Sequence, residues 1–132
     1  MISLRSIFLK LPDIFIMITI TILSSRSSFG RVPLFHGVDK IFHFIAYAGL
    51  AFAVGLWFSR ESWFKFPVRN ILICTVITSV FGILDEFHQF FVPGRTSDVW
   101  DWVFDTLGGL AGSFAILFGS RIFLGKRIEN RE

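Results

Sequence analysis

A chain of 132 residues is enough for one domain, and this one is 53% hydrophobic and 17% aromatic, with 18 phenylalanines and a mean hydropathy of +0.65. A soluble domain of that size has too little interior to hide so much apolar surface and would aggregate, whereas a lipid environment removes the conflict. The formal charge of +3 does not point to nucleic acid, because the lysines and arginines flank apolar runs and form no basic stripe.

The first apolar stretch, Leu11–Ser25, is the weakest, with a solid core only from Ile14 to Leu23 and Pro12 placed for a first helical turn. It reads as a retained helix over about 11–27. The alternative is a secretory signal with Arg5 and Lys10 as its basic region. The serines around Arg26 lack a small-x-small cleavage pattern, which favours retention. The second stretch, about 39–59, is apolar apart from its entrance, His43 and Tyr47. The third, about 68–91, contains Cys74, the only cysteine, which excludes an internal disulfide and a thiol-rich metal or haem site and reads as a small packing residue. The fourth, about 98–124, carries Asp105 early and Arg121 late, and is followed by a short polar tail expected to fray. Gly108, Gly109, Gly112 and Ser113 form overlapping small-xxx-small pairs that let membrane helices approach closely. The expected fold is all-α: a single polytopic domain over 1–132 built as a bundle of four transmembrane helices.

Lysines and arginines set the expected orientation. Arg5, Lys10, Arg60, Lys65, Arg69, Arg121, Lys126, Arg127 and Arg131 fall on one side, against Arg26, Arg31, Lys40 and Arg95 on the other. The positive-inside rule then puts both termini in the cytoplasm of a multi-pass protein.

The polar residues are segregated. Asp39, Asp85, Glu86, Asp98, Asp101 and Asp105, with His36, His43, His88 and Arg95, all fall on the outer side. A charge at mid-membrane costs about 2.5–3.5 kcal/mol on insertion scales, so such groups tend to be paired, wet or functional. At the second helix, Asp39, Lys40, His43 and Tyr47 include three positions four apart on one face. There Asp39 can cap, Lys40 can sit at the headgroups, and His43 and Tyr47 can hydrogen-bond to neighbouring helices. Asp85 and Glu86 end the third helix beside Gln89, against the negative pole of the macrodipole. Something must offset that: a cation such as Arg95 or Lys40, a metal ion, a ligand or shared protons. Pro93-Gly94 marks a tight turn that makes the third and fourth helices antiparallel neighbours with Arg95 at its tip. Arg95 is read equally as a clamp on the carboxylates and as a receptor for phosphate or carboxylate. Asp98, Asp101 and Asp105 share one face of the fourth helix; Ser97 or Asp98 can cap it and Asp101 suits its positive start. Asp105 lies about two turns inside, roughly 10 Å from the helix start, beyond any capping role. It is the strongest single candidate for a buried functional carboxylate.

These residues also resemble a known family. Asp39-Lys40-x-x-His43-x-x-x-Tyr47, followed by Asp85-Glu86-x-x-Gln89-x-x-x-Pro93-Gly94-Arg95-x-x-Asp98-x-x-Asp101-x-x-x-Asp105-x-x-Gly108, is similar to the VanZ-like family of small bacterial integral membrane proteins, from about Leu11 to Phe118. Family members often carry Asn at the position of Asp105. The name-giving member is associated with resistance to the glycopeptide teicoplanin. The resemblance therefore implies a cell-envelope role in the bacterial plasma (inner) membrane, without implying a particular reaction.

Three functions are open to such a chain. One is a binding protein that holds an envelope lipid or a glycopeptide in an outer polar pocket. The second is a membrane enzyme acting on a lipid-linked phosphate substrate, with a divalent cation held by oxygen ligands from Asp85, Glu86, Asp101 and Asp105, with Asp98 beside them, and His43 or His88 as acid or base. The third is a proton- or ion-coupled transport component exchanging protons at Asp105 and His43. No nucleophile–base pair, zinc-protease motif, nucleophile elbow or phosphate loop is present in the sequence, so whether the chain catalyses a reaction is left open and the binding or envelope-modifying role is preferred.

Overall fold

The computed structural model describes residues 8–26 and 37–129, with side chains as far as Ile122. Within them run α1 (Leu11–Ser24), α2 (Val38–Gly55), α3 (Arg60–Lys65), α4 (Pro67–Phe90) and α5 (Val99–Glu129). No strand occurs among the described residues. Three helices, α2, α4 and α5, are long and apolar enough to cross a membrane. The α1 helix is apolar but has 14 residues. At 1.5 Å per residue it covers about 21 Å, less than the roughly 30 Å of a hydrocarbon core.

The expected bundle is a three-helix core with α1 laid against it. The α2–α5 pair is the most extensive, α4 covers α5 and part of α2, and α1 packs on α2 with a lighter contact to α4. Glycines set the closeness of α2 and α5. A Cβ on Gly108 would run into the Phe44 carbonyl oxygen, and one on Gly112 into the Ala48 carbonyl oxygen, so the two backbones touch where only hydrogen fits. On the other side of α5, Trp102 Nε1 donates to the Ser79 carbonyl at 3.2 Å and Ser79 Oγ pairs with Thr106 Oγ1 at 2.9 Å, tying α5 to α4.

Burial is inverted relative to a water-soluble domain. Ile45, Leu72, Val76, Leu84, Phe90 and Phe118 are exposed, while Asn70, Thr78, Asp85, Glu86, Gln89 and Asp105 are buried. Apolar side chains turned outward and polar ones turned inward are what a lipid surround requires. The apolar core proper, with Tyr47, Leu50, Val54, Trp63, Cys74 and Ile116, lies between α2, α4 and α5, with Trp63 contributed by α3.

Boundaries differ from the sequence expectation in places with local causes. The second helix stops at Gly55, short of residue 59: Leu56, Trp57 and Phe58 donate to carbonyls three residues back. The Gly55 carbonyl, already accepting Phe58 N, also accepts the indole N–H of Trp63 at 3.0 Å, and Gly55 itself makes room for Trp63 and Ile116. The short α3 helix, not anticipated, then starts on Ser59, whose side chain caps Ser62 N at 3.1 Å. The α5 helix runs on to Glu129 through the segment expected to fray, where Lys, Arg, Ile and Glu are adequate helix formers. The α1 helix ends at Ser24 while its expected last residue, 27, falls outside the described part.

The helices alternate in direction, so the chain has two chemically distinct ends. One holds the start of α1, the end of α2, α3 and the start of α4, and carries Lys10, Arg60, Lys65 and Arg69. There Asn70 is fully buried and its Nδ2 donates to Ser62 Oγ at 3.0 Å, fastening α3 to α4. The other end holds the end of α1, the start of α2, the end of α4 and the start of α5, and it gathers the acidic residues. His36, Arg5, Arg31, Lys126, Arg127 and Arg131 lie outside the residues whose side chains are described.

Candidate functional site

The acidic end is built by three turns of local chemistry. Val92-Pro93-Gly94-Arg95 closes with Arg95 N donating to Val92 O at 3.1 Å and Gly94 at φ 81°, the form in which Pro and Gly occupy the two central positions of a type II turn. It sends α5 back antiparallel to α4. Asp98 then caps α5, accepting Trp100 N at 2.9 Å. The α2 helix is entered through Gly37 at φ 91°, a left-handed conformation that suits glycine, and Gly37 is its N-cap. Asp39, expected to cap, lies instead in the first turn with its side chain 59% exposed, held to Lys40 at 3.5 Å.

Inside that end the sequence-expected residues meet in two layers. In the outer layer Lys40 Nζ bridges α2 to α5, at 2.9 Å from Asp98 Oδ2 and 2.8 Å from Asp101 Oδ1. Asp98 lies just outside the apolar spans, and its hydrogen bond from Lys40, helped by the Trp100 N–H, holds its carboxyl below the usual carboxylate range. In the inner layer His43 Nδ1 meets Asp105 Oδ1 at 2.8 Å, and His43 Nε2 lies 3.9 Å from Asp101 Oδ2. Asp105 is wholly buried. Gly82 on α4 leaves room for it, since a Cβ there would come within 2.8 Å of Asp105 Oδ2.

Neither Asp85 nor Glu86 is paired with a lysine or arginine side chain among the described residues. Neutral donors do the work instead. Asp85 accepts Ser24 Oγ at 2.5 Å and Gln89 Nε2 at 2.9 Å. Glu86 accepts Ser97 Oγ at 3.1 Å and Asp98 N at 2.8 Å, with Gln89 Nε2 at 3.4 Å. Ser97 therefore serves Glu86 and does not cap α5. Arg95, expected as a clamp, forms no ion pair among the described residues, and its buried Nε has no partner. Tyr47, expected to hydrogen-bond across helices, packs its ring near His43 and Phe81 while its buried hydroxyl has no partner. His88 faces outward and meets Ser25 Oγ at 2.9 Å.

Of the four carboxylates expected to hold a metal, the structure brings Glu86 and Asp105 to one point, and adds His43; their donor atoms all lie within 4.8 Å of one another. Asp85 and Asp101 fall outside that group. Two participants were not anticipated from the sequence. Ser24 is buried against Asp85, and the available signal was its place at the end of the first apolar stretch, at the same end of the bundle as Asp85. Gly82 sits three residues before Asp85 in an otherwise bulky run and marks the close approach of Asp105.

Apolar spans turned outward around a buried charged cluster define a multi-pass helical membrane protein with a polar site at one end. The chain belongs to the VanZ/LLP1 family, whose family model matches residues 3–122. Comparison with curated proteins and with solved structures finds no match.

Proposed function

We propose that this VanZ-family protein holds an anionic, phosphate-bearing component of the bacterial cell envelope at its polar end. In this reading all four apolar helices are embedded in the plasma membrane, both termini are cytoplasmic, and the polar end faces outward, following the lysine and arginine distribution. The observation that carries it is Arg95. Arg95 lies in the loop between α4 and α5 and forms no ion pair among the described residues, which supports a role for its terminal guanidinium nitrogens in receiving a phosphate or carboxylate. Lys40, by contrast, is committed to Asp98 and Asp101. An envelope lipid or a glycopeptide carries such groups, which is the form a link to teicoplanin resistance would take.

The test is lipid mass spectrometry of the purified full-length protein, comparing wild type with Arg95→Gln. The reading requires a phosphate- or carboxylate-bearing envelope molecule that co-purifies with wild type and is depleted with Arg95→Gln. Equal recovery of only bulk phospholipid with both would refute it.

A membrane enzyme acting on a lipid-linked phosphate is the second reading. The buried His43–Asp105 pair favours it, because an imidazole fixed by a carboxylate is a competent proton carrier. The same pair would serve a proton-coupled transport step, for which proton uptake in proteoliposomes is the discriminating readout.

A further inference from the structure

Asp105 presents an unusual electrostatic problem. It is fully buried between α2, α4 and α5; His43 serves its Oδ1, and its Oδ2 has no partner. A lone carboxylate oxygen in a membrane interior costs several kcal/mol unless a donor or cation meets it. Tyr47, 1% exposed and one turn further along α2, also has an unpartnered hydroxyl, within electrostatic reach of Asp85, Glu86 and Asp105. The surroundings are acidic as well. Asp85, Glu86, Asp98, Asp101 and Asp105 crowd one end of the bundle, and Lys40 is the only ammonium or guanidinium within ion-pair distance of them among the described residues. The site thus has spare acceptor capacity, an excess of negative charge and a buried oxygen that needs a partner.

The donor set matches a metal ion. His43, Glu86 and Asp105 come from three helices, and their donor atoms lie within 4.8 Å of one another. Donors that share an ion through bonds of about 2.0–2.2 Å lie roughly 3.3–4.4 Å apart, so small side-chain rotations bring the three into range. Glu86 is already oriented by Ser97 Oγ and Asp98 N, and Gly82 lets Asp105 pack closely against α4. Such supporting contacts hold metal ligands in place. One imidazole with two carboxylates suits zinc or manganese, whereas magnesium and calcium prefer an all-oxygen shell.

We propose that His43, Glu86 and Asp105 bind a single divalent transition-metal ion, Zn²⁺ or Mn²⁺, at the polar end of the bundle, with at least one coordination position left open. The ion supplies the missing partner for Asp105 Oδ2 and neutralises part of the acidic excess. An ion held there would lie at the same end of the chain as Arg95 and would supply a Lewis acid there. The site stands on its three side chains and does not require the envelope ligand.

The full chain is purified in detergent, stripped with a chelator and titrated calorimetrically with Zn²⁺ or Mn²⁺ alone, without envelope lipid. Its outcome is therefore separate from that of the anionic-ligand reading. Saturable binding of one ion per chain is expected, weakened at least about tenfold by Asp105→Asn, His43→Gln or Glu86→Gln, since even residues that only orient a ligand cost 10–100-fold. Asp39→Asn, at an exposed position outside the group, should bind like wild type. Because a buried variant can fail to fold, the wild-type Co²⁺ complex gives a second readout: visible ligand-field bands that appear on addition of Co²⁺ and disappear on competition with Zn²⁺. Absence of saturable Zn²⁺ and Mn²⁺ binding, binding confined to Mg²⁺ or Ca²⁺, or equal affinity in folded Asp105→Asn and His43→Gln would overturn the proposal.

Discussion

His43 on α2 and Asp105 on α5 meet at 2.8 Å inside the apolar bundle, with the carboxylate fully buried. The pair sits immediately beside the glycine contact between the same helices, where Gly108 lies against the Phe44 carbonyl. Close backbone approach and buried charge are therefore parts of one arrangement: without the glycines the helices would stand too far apart for the side chains to meet.

The glycine contact has a sharp consequence. Gly112→Val should cost about 1–3 kcal/mol or more, because overpacking against the Ala48 carbonyl has no flexible side chain to displace. Gly119→Ala, in the same helix but with nothing within 4 Å of the new methyl, should be neutral or gain up to about 0.5–1 kcal/mol. Thermal unfolding of both variants in one detergent checks this; equal melting temperatures would count against the α2–α5 packing.

Lys40→Met leaves Asp98 and Asp101 facing each other across an apolar side chain. The expected loss is about 1–3 kcal/mol, below the roughly 3–5 kcal/mol of a fully buried pair because the Lys40 side chain is 24% exposed. Adding Asp101→Asn should restore part of it. A double-mutant cycle with no coupling between the two positions would show that the bridge contributes nothing.

Asp98 gives a pH signature. Its pKa is depressed in the folded protein, so its contribution to stability is full above the unfolded value, about 3.9, and is lost as pH falls through the lower folded value. Asp98→Asn keeps a good N-cap while removing the charge, and should flatten the acid limb of melting temperature against pH below about 4. An acid limb identical to that of wild type would contradict the Lys40–Asp98 assignment.

Much of this was legible in the sequence because lipid makes strong demands. Apolar runs, the Pro93-Gly94 turn and the spacing of Asp98, Asp101 and Asp105 each have a local cause, and the structure puts Asp101 and Asp105 on one buried face of α5. Long-range pairing was harder to read. Helix spacing alone could not show that Lys40 would take Asp98 and Asp101 while Arg95 took none, because both cations flank the same cluster and the choice depends on how α2 rotates against α5. The end of α2 at Gly55 was equally hidden, since it depends on Trp63 reaching back from a helix too short to register as a periodic pattern.

Topology can be tested on the native background, because Cys74, the only cysteine, is fully buried. Arg95→Cys should react with a membrane-impermeant maleimide on intact cells, and Lys65→Cys only after permeabilisation. The reverse pattern would invert the proposed orientation.

The central claim is that the polar end is a ligand site and more than an internal brace. Native mass spectrometry of wild type and Arg95→Gln, purified identically from the membrane, tests it most directly. Wild type should carry a bound anionic envelope species that folded Arg95→Gln retains at a clearly lower level, while Asp39→Asn retains it in full. Equal occupancy in all three, or no specific adduct on wild type, would contradict the account.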